Sequence, residues 1–544
     1  MGDLLKTLTD LVALKSVSCT EDEILPVDYI CDAFGKLEYF KKNDDHFGKK
    51  YIEGDQYKRA VAYGLIEGKK KDTVVLSGHI DVVSAEVYGD AEKYAYTVGR
   101  QLDDALAEMK MPKEAEKDFE SGEWIWGRGV ADMKGGVAIA MSIIEEYAEL
   151  AEKGELEGSV LFMAVPDEES YSAGMRSGIH VMKELKEKFN LNYKLLIDPE
   201  PSTVSDGAQV MSLGTVGKSM PVILTQGVVA HMGHCFEGIS GLNMLAGMYQ
   251  RTNGSLEFAD TYENEASMPA LWGAMKDLKL NYDVSLPHRG YGYMTVLSFD
   301  KTVEDVLEKL KSIAVEVFEE EVDKLNKTYQ QFTKMNKMAE KKEIHYDTKV
   351  FSVQELCSQL EEEDGELFLN FFDKAKKEAM EMVRTGKSFP DATVYVMNEI
   401  LNFADIKEPL ILIGMAPPYY PATHSDRVKG KEGFGTKIFE FAKELSEREF
   451  NQKLTYENYF LGISDNSYTY VPELDYAKLT GNYPLWGEGY DIDFEEIGEL
   501  NIPSILYGPI GAEYHQWTER VNKKSLLEIM PAMLRSVIEY AWIL

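Results

Sequence analysis

Sulfur is scarce in this chain: four cysteines among 544 residues, Cys19, Cys31, Cys235 and Cys357, with no CxxC pair. Scattered in this way, they suggest neither a disulfide framework nor a thiolate zinc site, and a reducing cytoplasm is the expected compartment. Long apolar runs are missing too, and none approaches the roughly 20 residues that a membrane span needs. The N-terminal MGDLLKTLTDLVALKSVS has amphipathic helical spacing without a basic leader or cleavage site. Lys6 stands where a myristoylation signal carries Ser or Thr, so the chain is expected to be soluble and unprocessed, with no membrane partner. Positive charge is short: 58 basic against 93 acidic residues leave a net charge of −35. That field repels polyanions and removes nucleic acid from the expected partners, whereas small neutral or cationic substrates suit it. Internal repeats and low-complexity linkers are also missing.

What is present fills more than one core. With this length and 44% hydrophobic residues, two or more domains are expected. From Val74 to about Leu213, short apolar runs alternate with helical stretches (TVVLSGHI, KGGVAIAMSIIEEYAEL, SVLFMAVP, YKLLID), the pattern of a layered α/β domain with buried strands. The texture then changes to a strand, a helix from about Ser240, the strand GYMTVLSF and a long charged helix from Thr302. This reads as a smaller α+β domain. Residues 335–405, rich in Glu, Lys and Met, read as an exposed helical insertion. The expected organisation is a first domain in two parts, 1–212 and 419–544, interrupted by an inserted domain over 213–418.

Segments at the strand ends of the first domain finish in metal-ligand chemistry. GHIDVV offers His79 and Asp81 on one side of an extended chain, because side chains repeat every two residues. WGRGVADMKGG places Asp132 in a glycine-flanked turn before a helix. AVPDEESYSAG sets Asp167, Glu168 and Glu169 in a row after a strand. LLIDPEPS supplies Asp198 and Glu200, which compete for one role. GPIGAEYHQWTERV carries His515 in a glycine-rich loop entering the C-terminal helix, with Glu519 after it. Imidazole and carboxylate without sulfur suit zinc at an open, hydrolytic site. Each piece alone has a plain reading: a strand-end histidine, a turn aspartate, a solvated acidic loop, a helix charge. The ordered set does not.

That order, HxD, GRGxxDMKGG, DEE, EPS, GxxAH and a late GP…H…E, resembles the M20 peptidases, the family of aminoacylase, ArgE, DapE and carboxypeptidase G. The resemblance covers most of 1–245 and 410–544. Chain length, APPYYP and GISDNSY are most similar to its RocB-type arginine-utilisation branch. The resemblance implies a zinc-peptidase-like α/β catalytic domain, a mixed sheet flanked by helices, interrupted by a ferredoxin-like α+β lid and dimerisation domain. It implies two zinc ions per subunit, replaceable by cobalt or manganese, with Asp132 bridging. His79 and Glu200 would complete one site, Glu169 and His515 the other. Glu168 would be the general base and Asp81 would fix the His79 tautomer from behind. In GVVAHMGHCFEG, His231 would reach a partner subunit's site and stabilise the oxyanion, which implies a homodimer through the inserted domain. His234 either assists there or lines the loop. A cis Asp132–Met133 peptide is also implied.

The expected reaction is hydrolysis of a C–N amide-type bond in a small amino-acid derivative, possibly arginine-related (N-acyl or N-carbamoyl). The alternatives are a dipeptidase or exopeptidase on the same scaffold and a non-catalytic ligand-binding relative, against which the intact Glu168 speaks. Relatives that anchor a substrate carboxylate use arginines where this chain has Asp300 and Ser467, and asparagine where it has Ser240. The long segment between His79 and Asp132 is expected to form a lip over the site.

Overall fold

The computed structural model describes residues 4–279, 281–336, 343–472 and 475–544. The chain divides into two compact units, one of Met1–Thr215, Thr423–Pro472 and Ile492–Leu544, the other of Val216–Ala422 with Glu473–Asp491. Assignment of 473–491 to the second unit differs from the sequence reading. The ties are non-local: the Tyr490 hydroxyl accepts from Tyr419 N–H and donates to its carbonyl, both at 2.8 Å, and Met415 N–H donates to Asn482 O at 2.8 Å. No local periodicity carries such contacts.

The first unit is built on a nine-stranded mixed sheet. Its strands include β1 (Phe47–Tyr51), β2 (Ala60–Ile66), β3 (Asp72–His79), β4 (Ser159–Val165), β5 (Asn192–Asp198), β6 (Ala208–Ser212), β7 (Leu454–Glu457) and β8 (Ser504–Leu506), in the spatial order β1-β2-β4-β3-β5-β8-β6-β7. β4, β3, β5 and β8 run parallel, while β1, β2 and β6 introduce antiparallel pairings. Strands covered on both faces need apolar side chains throughout. Accordingly β4 is buried along its whole length and β3 from Thr73 onward. Parallel direction also brings the C-terminal ends of β3, β4 and β5 to one edge, where α/β sheets place their sites.

Helix α1 (Leu4–Ala13) and helix α2 (Lys134–Glu152) share one core with these strands, through Leu8, Leu11 and Val12 and through Val137, Ile139 and Ile144. Helix α3 (Ala173–Phe189) follows the acidic loop after β4. α2 approaches the end of β5 so closely that a Cβ at Gly136 would lie 2.2 Å from the Pro199 carbonyl oxygen. Gly136→Ala is therefore expected to lower the unfolding free energy by about 1–3 kcal/mol, read as a fall in the denaturant midpoint. The segment expected to form a lip folds into helical turns, Glu86–Tyr94, Arg100–Ala107 and Lys113–Ser121. Together with Val82 and Trp126 it builds a small core of its own, from Tyr88, Leu102 and Leu106 among others.

The second unit has a six-stranded sheet, with Leu410–Met415 next to Pro221–Gln226 and the long strand Arg289–Ser298 beyond it. Gly241–Thr252 and Val303–Met335 are helical, the latter opened by a Thr302/Asp305 capping box. The described residues of 335–405, which leave out 337–342, are not simply an exposed insertion. Val350–Ser352 joins the sheet parallel to Leu410–Met415, and the helix Phe389–Ala404 buries nine of its residues. Its apolar spacing is that of a core helix; the acidic residues concentrated in Val353–Asp364 give the stretch its charged texture.

Candidate metal centre

His79 is the last residue of β3, Asp167 to Glu169 follow β4, and Glu200 lies just past β5. Asp132 precedes the first turn of α2, where the helix dipole favours a carboxylate. His515 arrives differently from the sequence expectation. Instead of entering the C-terminal helix, it sits in the turn between Gly511–Ala512 and Arg520–Asn522, an antiparallel pair whose second strand also pairs with Trp124–Trp126. One three-stranded sheet thus carries the chain into both Asp132 and His515.

These residues converge. His79 Nε2 is 3.0 Å from Asp132 Oδ1 and 3.3 Å from Glu200 Oε1. His515 Nε2 is 3.3 Å from Asp132 Oδ2 and 3.0 Å from Glu169 Oε2. The ligand atoms of His79, Asp132 and Glu200, and those of Asp132, Glu169 and His515, each lie within 4.8 Å of one another. The two oxygens of Asp132 therefore face two separate donor groups. Asp198, the rival to Glu200, instead accepts from Ser464 Oγ at 3.1 Å. The Asp132–Met133 peptide is cis.

Asp81 lies behind His79, and its carboxylate has further partners. His79 Nδ1 is 3.0 Å from the main-chain oxygen of Asp81 and 3.6 Å from its carboxylate, so the carbonyl is the ring's nearer partner. The carboxylate accepts from the main-chain N–H groups of Glu168 and Glu169 at 3.1 and 3.2 Å, and from Ser18 Oγ at 2.6 Å. It fixes the backbone beneath the pair of glutamates.

Arg128 and Glu519 received no definite role from the sequence, although Arg128 lies within the GRG motif. Both are buried, with Arg128 Nη1 2.5 Å from Glu519 Oε2. Glu519 Oε1 accepts from the N–H of Ala131 and Asp132 at 3.2 and 3.3 Å, and Arg128 Nη2 donates to the His515 carbonyl at 3.0 Å. This one ion pair holds the main chain at both Asp132 and His515.

The electrostatics are those of donors short of positive charge. Burial and the neighbouring Asp132 push the Glu200 carboxyl up to about 8, and Glu169 rises for the same two reasons. Burial opposes a charged His79, yet Glu200, Asp132 and Asp81 outweigh it and raise the imidazole well above its ordinary value. Hydrogen bonds to Asp132 and Glu169 raise His515 to about 10. Burial lifts Glu168 well above the carboxylate range, with Asp465, Glu200 and Glu169 adding repulsion. Divalent cations suit such a set: the donors are nitrogen and oxygen, and a cation relieves the repulsion among the carboxylates. A third cluster, His180, Asp493 and Glu496, is different. There Lys183 Nζ, 3.3 Å from Glu496, already supplies a positive charge.

His231 and His234 belong to the second unit and are exposed. His231 Nδ1 accepts from Gly233 N–H at 3.0 Å, and His234 Nδ1 lies 3.4 Å from Glu237. Ser467 is buried in the first unit and Asp300 is exposed in the second.

Fold and site together define a class, a hydrolase of the metallopeptidase kind. The model of Peptidase family M20/M25/M40 matches residues 75–353, a little over half of the chain, and the chain belongs to that family. Uncharacterized protein YqjN of Bacillus subtilis is 27% identical over 545 residues, covering 98% of this chain and 96% of the relative. Protein RocB of the same organism is 25% identical over 534 residues, covering 96% and 92%. A tripeptidase from Staphylococcus aureus shares the fold, with a TM-score of 0.52 at 15% identity, covering 99% of this chain and 98% of that one. Among the described residues no helix is long and apolar enough to cross a membrane.

Proposed function

We propose that the protein is a two-zinc hydrolase of a small amino-acid derivative, cleaving a C–N amide-type bond. The observation that carries this reading is the pair of imidazole–carboxylate groups meeting at Asp132. His79, Asp132 and Glu200 would hold one ion, and Asp132, Glu169 and His515 the other. When bound, such a pair supplies Lewis acidity to a carbonyl oxygen and acidity to a water. Glu168 does the proton work. Its carboxylate takes a proton from the attacking water as the water oxygen bonds to the carbonyl carbon. It returns that proton to the nitrogen as the C–N bond breaks, leaving a carboxylic acid and an amine.

We place the substrate among arginine-related N-acyl or N-carbamoyl compounds. The likeness to the arginine-utilisation branch supports this choice, as does a net charge of −35 that favours a cationic ligand. A homodimer through the second unit, with His231 stabilising the oxyanion in the partner's site, fits the exposure of Val229, Met232 and Val284 around that histidine. The strand Leu271–Asp277, with Leu271 and Met275 exposed, offers an edge for pairing. Free cysteines suit a reducing cytoplasm.

The test is metal analysis combined with hydrolysis of N-acyl, N-carbamoyl and dipeptide forms of arginine and ornithine, with and without chelator. Chelator-sensitive turnover of the first two classes is expected; turnover of dipeptides alone would make the protein a peptidase instead. Zinc at 100 times the Kd of a site is also expected to raise the unfolding free energy by about 2.7 kcal/mol for each ion bound, seen as a rise in Tm that chelator reverses.

A further inference from the structure

The loop that carries Glu168 is also held by a buried arginine that is not among the candidate ligands. Arg59, just before β2, is 5% exposed, and its guanidinium meets three carboxylates. Nη2 is 2.7 Å from Asp55 Oδ1, Nη1 is 3.3 Å from Glu23 Oε1, and Nη1 is 2.5 Å from Asp167 Oδ1. Asp167, the residue before Glu168, is fully buried and has φ +71°, a conformation unusual for a residue with a side chain.

Asp167 is also the hub of its loop. Its carbonyl accepts from Ser170, Tyr171 and Ser172 N–H at 3.3, 3.1 and 2.7 Å, and its Oδ2 accepts from Ala173 N–H at 3.0 Å, at the start of α3. Asp81 grips the Glu168 and Glu169 amides from the other side. The Glu168 peptide is therefore clamped between two carboxylates, one of which is anchored by Arg59. A buried guanidinium shared among three acids is weak evidence of a stability device, since desolvation offsets much of the attraction. What it does fix is direction.

We propose that Arg59 is a positioning residue for the general base, setting through Asp167 the backbone from which the Glu168 carboxylate reaches the reacting water. This rests on Glu168 being the base. Arg59 bonds to no candidate ligand directly, but the loop it anchors also carries Glu169, so activity is compared at equal metal occupancy.

The test uses the full-length, zinc-loaded protein with Arg59→Lys and Asp167→Asn, each alone and combined with Glu168→Gln. Three quantities are measured: metal content, amide hydrogen exchange over residues 167–173, and kcat and KM on whichever N-acyl, N-carbamoyl or dipeptide compound is turned over fastest. With zinc supplied to full occupancy, KM is expected to stay as in the parent. Exchange in the loop is expected to quicken and kcat to fall roughly ten- to a hundredfold, the scale of a misplacement of about 1 Å. In the Glu168→Gln background neither change is expected to lower kcat further. Unchanged loop exchange overturns the proposal, as does an equal loss of kcat with and without Glu168. If Arg59→Lys does not fold, Asp167→Asn carries the same comparisons. Full activity of Glu168→Gln alone refutes the base itself, a result distinct from an inactive Glu168→Gln beside a fully active Arg59→Lys.

Discussion

Glu168→Gln is expected to lower kcat by about 10²- to 10⁴-fold while the protein keeps its fold and its metal. Glutamine matches glutamate in shape and retains its main-chain N–H, so the bond to Asp81 at 3.1 Å survives. What disappears is a carboxylate able to take a proton and give it back. Because Glu168 is not one of the residues that group around Asp132, metal content should match the parent. Steady-state kinetics on the compound found by the hydrolysis panel, alongside metal analysis, read both quantities. Loss of metal in Glu168→Gln would move Glu168 among the ligands; parental kcat would remove it from the chemistry.

Arg128→Met carries the second large effect. It strips the guanidinium from a pair that is almost wholly buried, Arg128 at 1% and Glu519 at 1% exposure, and leaves the Glu519 carboxylate without its ion-pair partner. Breaking a buried pair in this way costs about 3–5 kcal/mol, to be read from denaturant unfolding. The same change frees the main chain at His515, and indirectly at Asp132, so metal affinity is expected to fall by roughly 10- to 100-fold. Arg128→Lys should rescue little. The native side chain reaches Glu519 with one nitrogen and the His515 carbonyl with another, a fork that a single ammonium does not reproduce. A variant as stable and as well metallated as the parent would show that the ion pair is dispensable.

The candidate ligands were legible in the sequence because each closes a short motif next to a glycine turn or a buried strand: His79 after the apolar run of β3, Asp132 before α2, Glu169 after β4. The layered α/β sheet was legible for the same reason, in apolar strands separated by helical spacing, while its mixed pairing was implied only by the family resemblance. What escaped was whatever depends on contacts across the fold. Arg59 lies in an unremarkable loop and finds Asp167 through β2–β4 pairing. Glu519 looks like a surface charge until the turn after Gly511–Ala512 folds it under Asp132. Asp81 was expected to orient an imidazole; that its carboxylate mainly serves two amide groups depends on where the loop after β4 crosses, which spacing alone does not fix. The segment 473–491 was missed because its attachments, such as Tyr490 to Tyr419, are with distant residues.

The turn that carries His515 has a consequence for biogenesis. His79, Asp132 and Glu200 precede the second unit along the chain, but the hairpin that completes the second donor group follows it. Contacts of such long sequence separation form slowly. The group of His79, Asp132 and Glu200 can therefore assemble before the second unit exists, whereas the group that includes His515 cannot close until that unit has been made, which makes the second group a report on assembly rather than a seed for it.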